Sequence, residues 1–266
     1  MSDLGFKDVA ETLTQTSEGL KAQISEKWRQ GRTAYGGVSA ALALAAVNNS
    51  HPDLPPLRSA NVNFIGPVPE SPVFQTKVLR QGRNVTVVES KGYDGNAAVI
   101  SVTFCFGASR ESDLGVGFPA PEAPNPHECE PYTPKEYEAF VPVFFHKFDT
   151  RLIEGGRPAT SQDEGYIRVW SRHHHENSRD GTPSLLCIGD VLPPGALPML
   201  KRPVPVSSMT WMFNILSDTP STEDGWWHIE TRLTAAHGGY SSQVMRVWNY
   251  SGELIAEGMQ SVTIFA

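Results

Sequence analysis

Gly36-Gly37-Val38-Ser39-Ala40-Ala41-Leu42-Ala43-Leu44-Ala45-Ala46-Val47 holds one polar residue, Ser39, between Val38 and Val47. An apolar run without a polar stripe has no face to offer water, so as a helix it is buried on most sides. Ala and Leu are strong helix formers, and the two glycines in front let the backbone approach a neighbour closely. The run is too short for a bilayer, which needs about 20 apolar residues. A helix buried all round, in a chain otherwise rich in strand signals, predicts a sheet wrapped around it.

The helix is expected to stop near Asn48-Asn49-Ser50, because Pro52, Pro55 and Pro56 prevent its continuation. Ahead of it, residues 13–24 read as a strand, followed by the turn-rich Trp28-Arg29-Gln30-Gly31-Arg32. Behind it, residues 59–65, 73–79, 84–93 and 97–106 read as strands, the last two joined by the hairpin turn Tyr93-Asp94-Gly95-Asn96. Residues 109–134 then carry Pro119, Pro121, Pro124, Pro126, Pro131 and Pro134 with little periodicity, which predicts an extended linker rather than a packed element. The expected organisation is therefore an N-terminal unit (1–108), a linker (109–134) and a C-terminal unit (135–266). In the second unit, 144–153 and 165–170 read as strands. Pro183 ahead of an apolar run predicts a helix around 184–192. Residues 204–216, 226–233, 241–250 and 254–265 complete the strands.

Composition narrows the function classes. A net charge of −7 argues against a general nucleic-acid or anionic-membrane partner, both of which need basic patches. Cys105, Cys129 and Cys187 are odd in number and widely spaced, giving neither a disulfide framework nor a zinc pattern; the default compartment is the reducing cytoplasm. Met1-Ser2-Asp3-Leu4 begins no export signal. The sequon Asn84-Val85-Thr86 is then a chance match.

The two halves resemble each other. Lys77-Val78-Leu79-Arg80-Gln81-Gly82 leads to Tyr93-Asp94-Gly95 and ends in Ser101-Val102-Thr103-Phe104. Arg232-Leu233 leads past Gly238-Gly239 to Tyr250-Ser251-Gly252 and ends in Ser261-Val262-Thr263-Ile264. The same order in both halves, each behind an apolar helix, reads as a tandem duplication.

Two helices, each wrapped by an antiparallel sheet, describe an α+β double hotdog. The chain resembles the acyl-CoA thioesterase family of the TesB type in four stretches. These are Arg32-Thr33-Ala34-Tyr35-Gly36-Gly37, Leu79-Arg80-Gln81-Gly82-Arg83-Asn84-Val85, Cys187-Ile188-Gly189-Asp190, and Gly252-Glu253-Leu254-Ile255-Ala256-Glu257-Gly258-Met259-Gln260. The resemblance implies hydrolysis of acyl-CoA, with an Asp, a Thr or Ser and a Gln holding an attacking water. The Asp falls on Asp190 and the Gln on Gln260. The hydroxyl position departs from the pattern, since aligning Phe213 with the family's aromatic places Val206 there. Strand alternation puts Ser208 and Thr210 on the face of Val206 and turns Ser207 away, unless a bulge intervenes.

In that scheme Asp190 serves as base, with burial raising its pKa, and Gln260 orients the water. The amides of Gly37 and Val38 at a helix start are the oxyanion donors. Arg32, Arg80 and Arg83 are candidates for the coenzyme A phosphates. Trp211, with its aromatic neighbours, is a candidate wall for the acyl chain, against the plainer reading as strand core. No Gly-x-Ser-x-Gly elbow is present, so a serine-hydrolase reading has no anchor. No Asp-plus-His pair supports a hydratase. His173-His174-His175 has no partner at ligand spacing and reads as a solvated strand end, so no metal and no cofactor is expected. The alternative is a non-catalytic acyl-CoA-binding protein on the same fold. Exposed sheet edges predict a homodimer or higher homo-oligomer, without membrane insertion.

Overall fold

The computed structural model of the chain describes residues 4–266. The reading of the N-terminus as free of an export signal lies outside them at Met1, Ser2 and Asp3. A short helix α1 (Phe6–Ala10) precedes strands β1 (Thr14–Gln15) and β2 (Leu20–Lys21) and a small hairpin of β3 (Arg29–Gln30) and β4 (Thr33–Ala34). Helix α2 (Gly36–Ser50) follows, then β5 (Leu57–Phe64), β6 (Val73–Gln81), β7 (Val85–Asp94) and β8 (Ala97–Gly107). The second half contains β9 (Phe148–Gly155), β10 (Tyr166–His173), α3 (Thr182–Gly189), β11 (Val206–Ile215), β12 (Trp227–His237), β13 (Tyr240–Trp248) and β14 (Leu254–Ile264).

Every residue of α2 from Gly37 to Val47 is buried, as a helix without a polar stripe requires. Its one polar side chain, Ser39, donates from Oγ to the Tyr35 carbonyl at 2.9 Å, so no orphan is left in the core. Leu42 and Leu44 are among the largest fully buried side chains; truncating either to Ala would cost about 2–5 kcal/mol. Around α2 and α3 runs one 12-stranded sheet in the order β1-β2-β6-β7-β8-β5-β11-β14-β13-β12-β10-β9.

That order is nearly a palindrome of the two halves about the β5–β11 pair, the double hotdog expected from the sequence. The duplication extends to its irregularities. The β6–β7 ladder slips between Val78 and Arg80, and the β12–β13 ladder slips between Leu233 and Ala235. The β7–β8 and β13–β14 turns each carry a left-handed glycine, Gly95 (φ 55°) and Gly252 (φ 85°).

Three expectations are corrected. Residues 13–24 do not form one strand: Gly19 (φ 140°) reverses the chain between β1 and β2, its carbonyl accepting from the Thr16 amide at 2.8 Å. The proline-rich stretch is packed in its second part, where Pro126, Cys129 and Tyr132 are buried. The indole N–H groups of Trp248 and Trp170 donate to the carbonyls of Phe118 and Pro124, both at 2.9 Å, tying the stretch to the second sheet half. Tryptophans on the outer face need a cover, and this segment supplies it. The same stretch blunts the β9 edge, because Tyr132 donates its amide to Thr150 and Leu152 donates to Glu130. At the opposite side of the sheet β2 pairs only with Val73 and Phe74, so the rest of β6 has no neighbouring strand there among the described residues. Finally, His173 is buried rather than solvated. Its Nε2 lies 3.0 Å from the Ser184 carbonyl, and burial lowers its pKa to about 4.

Candidate active site

Asp190 caps the C-terminus of α3 with φ −100° and ψ 12°, directly against the first turn of α2. The two helices can meet there only because α2 begins with glycines. A Cβ on Gly36 would stand 2.6 Å from Asp190 Oδ2 and 3.1 Å from the Phe64 ring. One on Gly37 would stand 2.2 Å from the Cys187 carbonyl oxygen. Tyr35, stacked on Phe144 at 4.0 Å, closes the junction by donating its hydroxyl to that same carbonyl at 2.9 Å.

The carboxyl therefore sits between unlike helix ends. The C-terminus of its own helix repels a negative charge, while the first-turn amide of Gly37 donates to it. Burial dominates and pushes the Asp190 pKa up to about 7, against hydrogen bonds from Gln260 and Gly37 that lower it. As a residue Asp190 keeps partial solvent access, so the group is enclosed but reachable.

Across the junction, Gln260 on β14 donates from Nε2 to Asp190 Oδ1 at 2.9 Å and to Ser208 Oγ at 3.1 Å. Ser208 reaches the site because β11 bulges against β14 between Ser208 and Thr210. The bulge reverses the alternation, so Ser208 is half-buried beside Gln260 whereas Thr210 is exposed. The expectation that Ser208 and Thr210 share a face is thus corrected, and Thr210 is placed outside the site. One inserted residue makes the difference.

Sequence reasoning missed Gln243. It lies on β13 opposite Gln260, is fully buried, and donates from Nε2 to Gln260 Oε1 at 2.7 Å. Its own Oε1 accepts the Gly195 amide at 2.7 Å. A polar residue at a core position of a strand is the signal that could have found it. Trp211, opposite Gln260 in register, is buried with its ring near Gly189; its indole N–H has no partner among the described residues.

The Gly37 amide faces the Asp190 carboxyl and lowers its pKa, and Val38 lies beside it in the buried first turn. The three arginines are exposed but do not converge. Arg32 lies in the β3–β4 turn, four residues ahead of Gly36. Arg80 and Arg83 lie where β6 and β7 meet, beside the Leu57 end of β5, whereas Phe64 at its other end touches the site. The length of β5 is about 23 Å, so Arg80 and Arg83 lie well apart from the Asp190 carboxyl. No group of three or more metal-ligating side chains occurs among the described residues, and none of their helices is long and apolar enough to cross a membrane.

Two helices back to back inside one wrapped sheet, with an acid, an amide and a hydroxyl at their junction, define a double-hotdog protein with a polar site. The chain belongs to the acyl-CoA thioesterase family: residues 24–107 match its N-terminal domain and residues 121–264 its C-terminal domain. None of the curated proteins matches the chain. Among solved structures it is similar to a conserved protein of unknown function with a hot dog fold from Alicyclobacillus acidocaldarius (TM-score 0.86, 24% identity, 98% of each chain covered). It is also similar to the tesB protein of Mycobacterium avium subs paratuberculosis (0.79, 16% identity, 98% of this chain and 100% of that one). A third is the acyl-CoA thioesterase II TesB2 of Mycobacterium marinum (0.75, 14% identity, 98% of each chain). At these identities the likeness is one of fold.

Proposed function

We propose that this protein hydrolyses an acyl-CoA thioester to the free acid and coenzyme A, with a water activated at Asp190. The observation that carries the reading is the Gln260 amide bridging Asp190 Oδ1 and Ser208 Oγ, which joins the three residue types the reaction needs. A carboxyl poised near neutrality takes a proton from water and later returns it. The water oxygen adds to the thioester carbonyl carbon while its proton passes to Asp190. As the tetrahedral intermediate collapses, the carbon–sulfur bond breaks, and the thiolate recovers that proton.

Gln260 holds the catalytic groups rather than the water. Both hydrogens of its Nε2 and its Oε1 already face protein partners. Ser208 accepts from Gln260, so its own hydrogen is free to donate to the carbonyl oxygen as charge develops there. The Val38 amide is the second donor of this reading. Exposed Arg32, Arg80 and Arg83 are the candidate partners of the coenzyme A phosphates, and Trp211 lines the site from the core.

The test is hydrolysis of an acyl-CoA chain-length series by the parent and by Asp190→Asn. Thiol release by the parent and its loss in the variant support the reading. Binding of acyl-CoA without turnover by the parent would replace it with a carrier role, and full activity in the variant would remove Asp190 from the mechanism.

A further inference from the structure

The two ends of a glutamine amide have nearly the same shape and opposite hydrogen-bonding sense, so a buried glutamine needs something to fix which way it faces. Gln260 has that problem at the centre of the site. With nitrogen toward Asp190 it stabilises the carboxylate; with oxygen there it would repel it. The answer lies one strand away, where the Gly195 backbone amide donates to Gln243 Oε1 at 2.7 Å. A main-chain N–H is a donor and nothing else, so Gln243 must turn its oxygen to Gly195 and its nitrogen to Gln260. Gln243 Nε2 then donates to Gln260 Oε1 at 2.7 Å, which leaves Gln260 Nε2 facing Asp190 and Ser208.

We infer that Gln243 is a positioning residue: anchored by the Gly195 amide, it fixes the sense of the Gln260 amide and, through it, of the hydrogen bonds to Asp190 and Ser208. The chain of polarity runs from Gly195 to Gln243, Gln260 and Asp190, with a branch to Ser208. Because both hydrogens of Gln260 Nε2 are used, Ser208 is an acceptor toward Gln260 and its hydrogen points elsewhere. The anchor has little freedom. A Cβ on Gly195 would meet the Leu233 amide nitrogen at 2.9 Å, and Leu233 pairs with Gln243 across β12 and β13. Gln243 and Gln260 are both buried, so water does not compete for their ends.

This inference rests on the thioesterase reading, but its test does not depend on turnover alone. Tyr35 and Cys187 are the titratable side chains that feel the Asp190 charge, and burial, with that charge, raises both pKa values well above their usual range, so both stay protonated while the carboxyl titrates. Gln243→Met keeps the volume and removes the lock. Carbon-13 NMR of aspartate-labelled protein should place the Asp190 midpoint about one pH unit higher than in the parent, with kcat/KM at pH 8 about tenfold lower.

Gln243→Glu is the second variant and keeps the shape. Protonated, its carboxyl accepts from Gly195 and donates to Gln260, so activity at low pH is parent-like. Ionised, it has no hydrogen to give and turns the Gln260 amide round, so activity falls with rising pH where that of the parent increases. A passive packing role would not produce that inversion. An unshifted Asp190 midpoint in Gln243→Met, or a parental pH profile in Gln243→Glu, overturns the inference. A shifted midpoint in a protein whose Asp190→Asn variant still hydrolyses thioesters would keep Gln243 as the lock and overturn Asp190 as the base.

Discussion

Replacing Asp190 by Asn separates what the carboxyl does for chemistry from what it does to stability, and the two effects have opposite signs. Burial raises its pKa from the usual 3.8 to about 7. A native-state pKa above the unfolded one means that the fold prefers the proton. The associated stability is fully present below about pH 4 and is lost as pH rises through 7. About three pH units at about 1.4 kcal/mol each make the ionised group cost about 4 kcal/mol above pH 7. That is an upper value, because Asp190 keeps partial solvent access. At pH 5, where only the unfolded chain is substantially ionised, the cost is about 1.5 kcal/mol. Asn removes the charge at every pH, and the hydrogen bond it forfeits to Gln260 or Gly37 is the same at both. Urea denaturation of parent and variant at pH 5 and pH 8 should therefore show the variant gaining about 2 kcal/mol in relative stability between them. Over the same range its kcat/KM should fall 100-fold or more, whereas the parent activity should rise through an acid limb near pH 7. An equal stability difference at the two pH values would refute the placement of a buried, proton-preferring carboxyl. More than a tenth of parental activity in the variant would refute its role as base.

Gly36→Ala should lower kcat/KM at least tenfold, because its Cβ would displace Asp190 or Phe64 from contacts at 2.6 and 3.1 Å; steady-state kinetics at fixed pH checks this. Ser208→Ala should lower kcat about tenfold or more, while Thr210→Val on the exposed side of the bulge should leave activity intact and change stability by less than about 0.5 kcal/mol. The reverse pattern would show that the bulge is misplaced. Trp248→Phe removes the donor to the Phe118 carbonyl, so it should cost about 1 kcal/mol and speed proteolytic cutting within residues 109–120, read by limited digestion against the parent.

Local chemistry makes much of this protein legible in the chain itself. A helix with one polar residue, Ser39, must be buried; Gly36 and Gly37 mark a close approach; and the turns at Gly95 and Gly252 punctuate two copies of one unit. Those features depend on residue type and spacing, so the wrapped sheet and its duplication follow from the sequence. Asp190 and Gln260 were reached through resemblance, and their meeting at 2.9 Å depends on the helix junction. Tertiary structure decided the rest. A bulge in β11, invisible to strict alternation, selects Ser208 over Thr210, because it arises from pairing with β14 rather than from the strand's own residues. The proline-rich stretch packs because tryptophans distant in sequence need partners for their N–H groups. Arg80 and Arg83 resemble anion donors in the chain, but strand direction carries them to the far end of β5. The Gly37 amide and the Asp190 carboxyl lie in different halves of the chain yet are adjacent in space, because α2 and α3 abut N-terminus to C-terminus. Gln243 was the least legible of all, since a buried glutamine's role is set by whichever donor fixes its orientation, and that donor, the Gly195 amide, belongs to a loop 48 residues away.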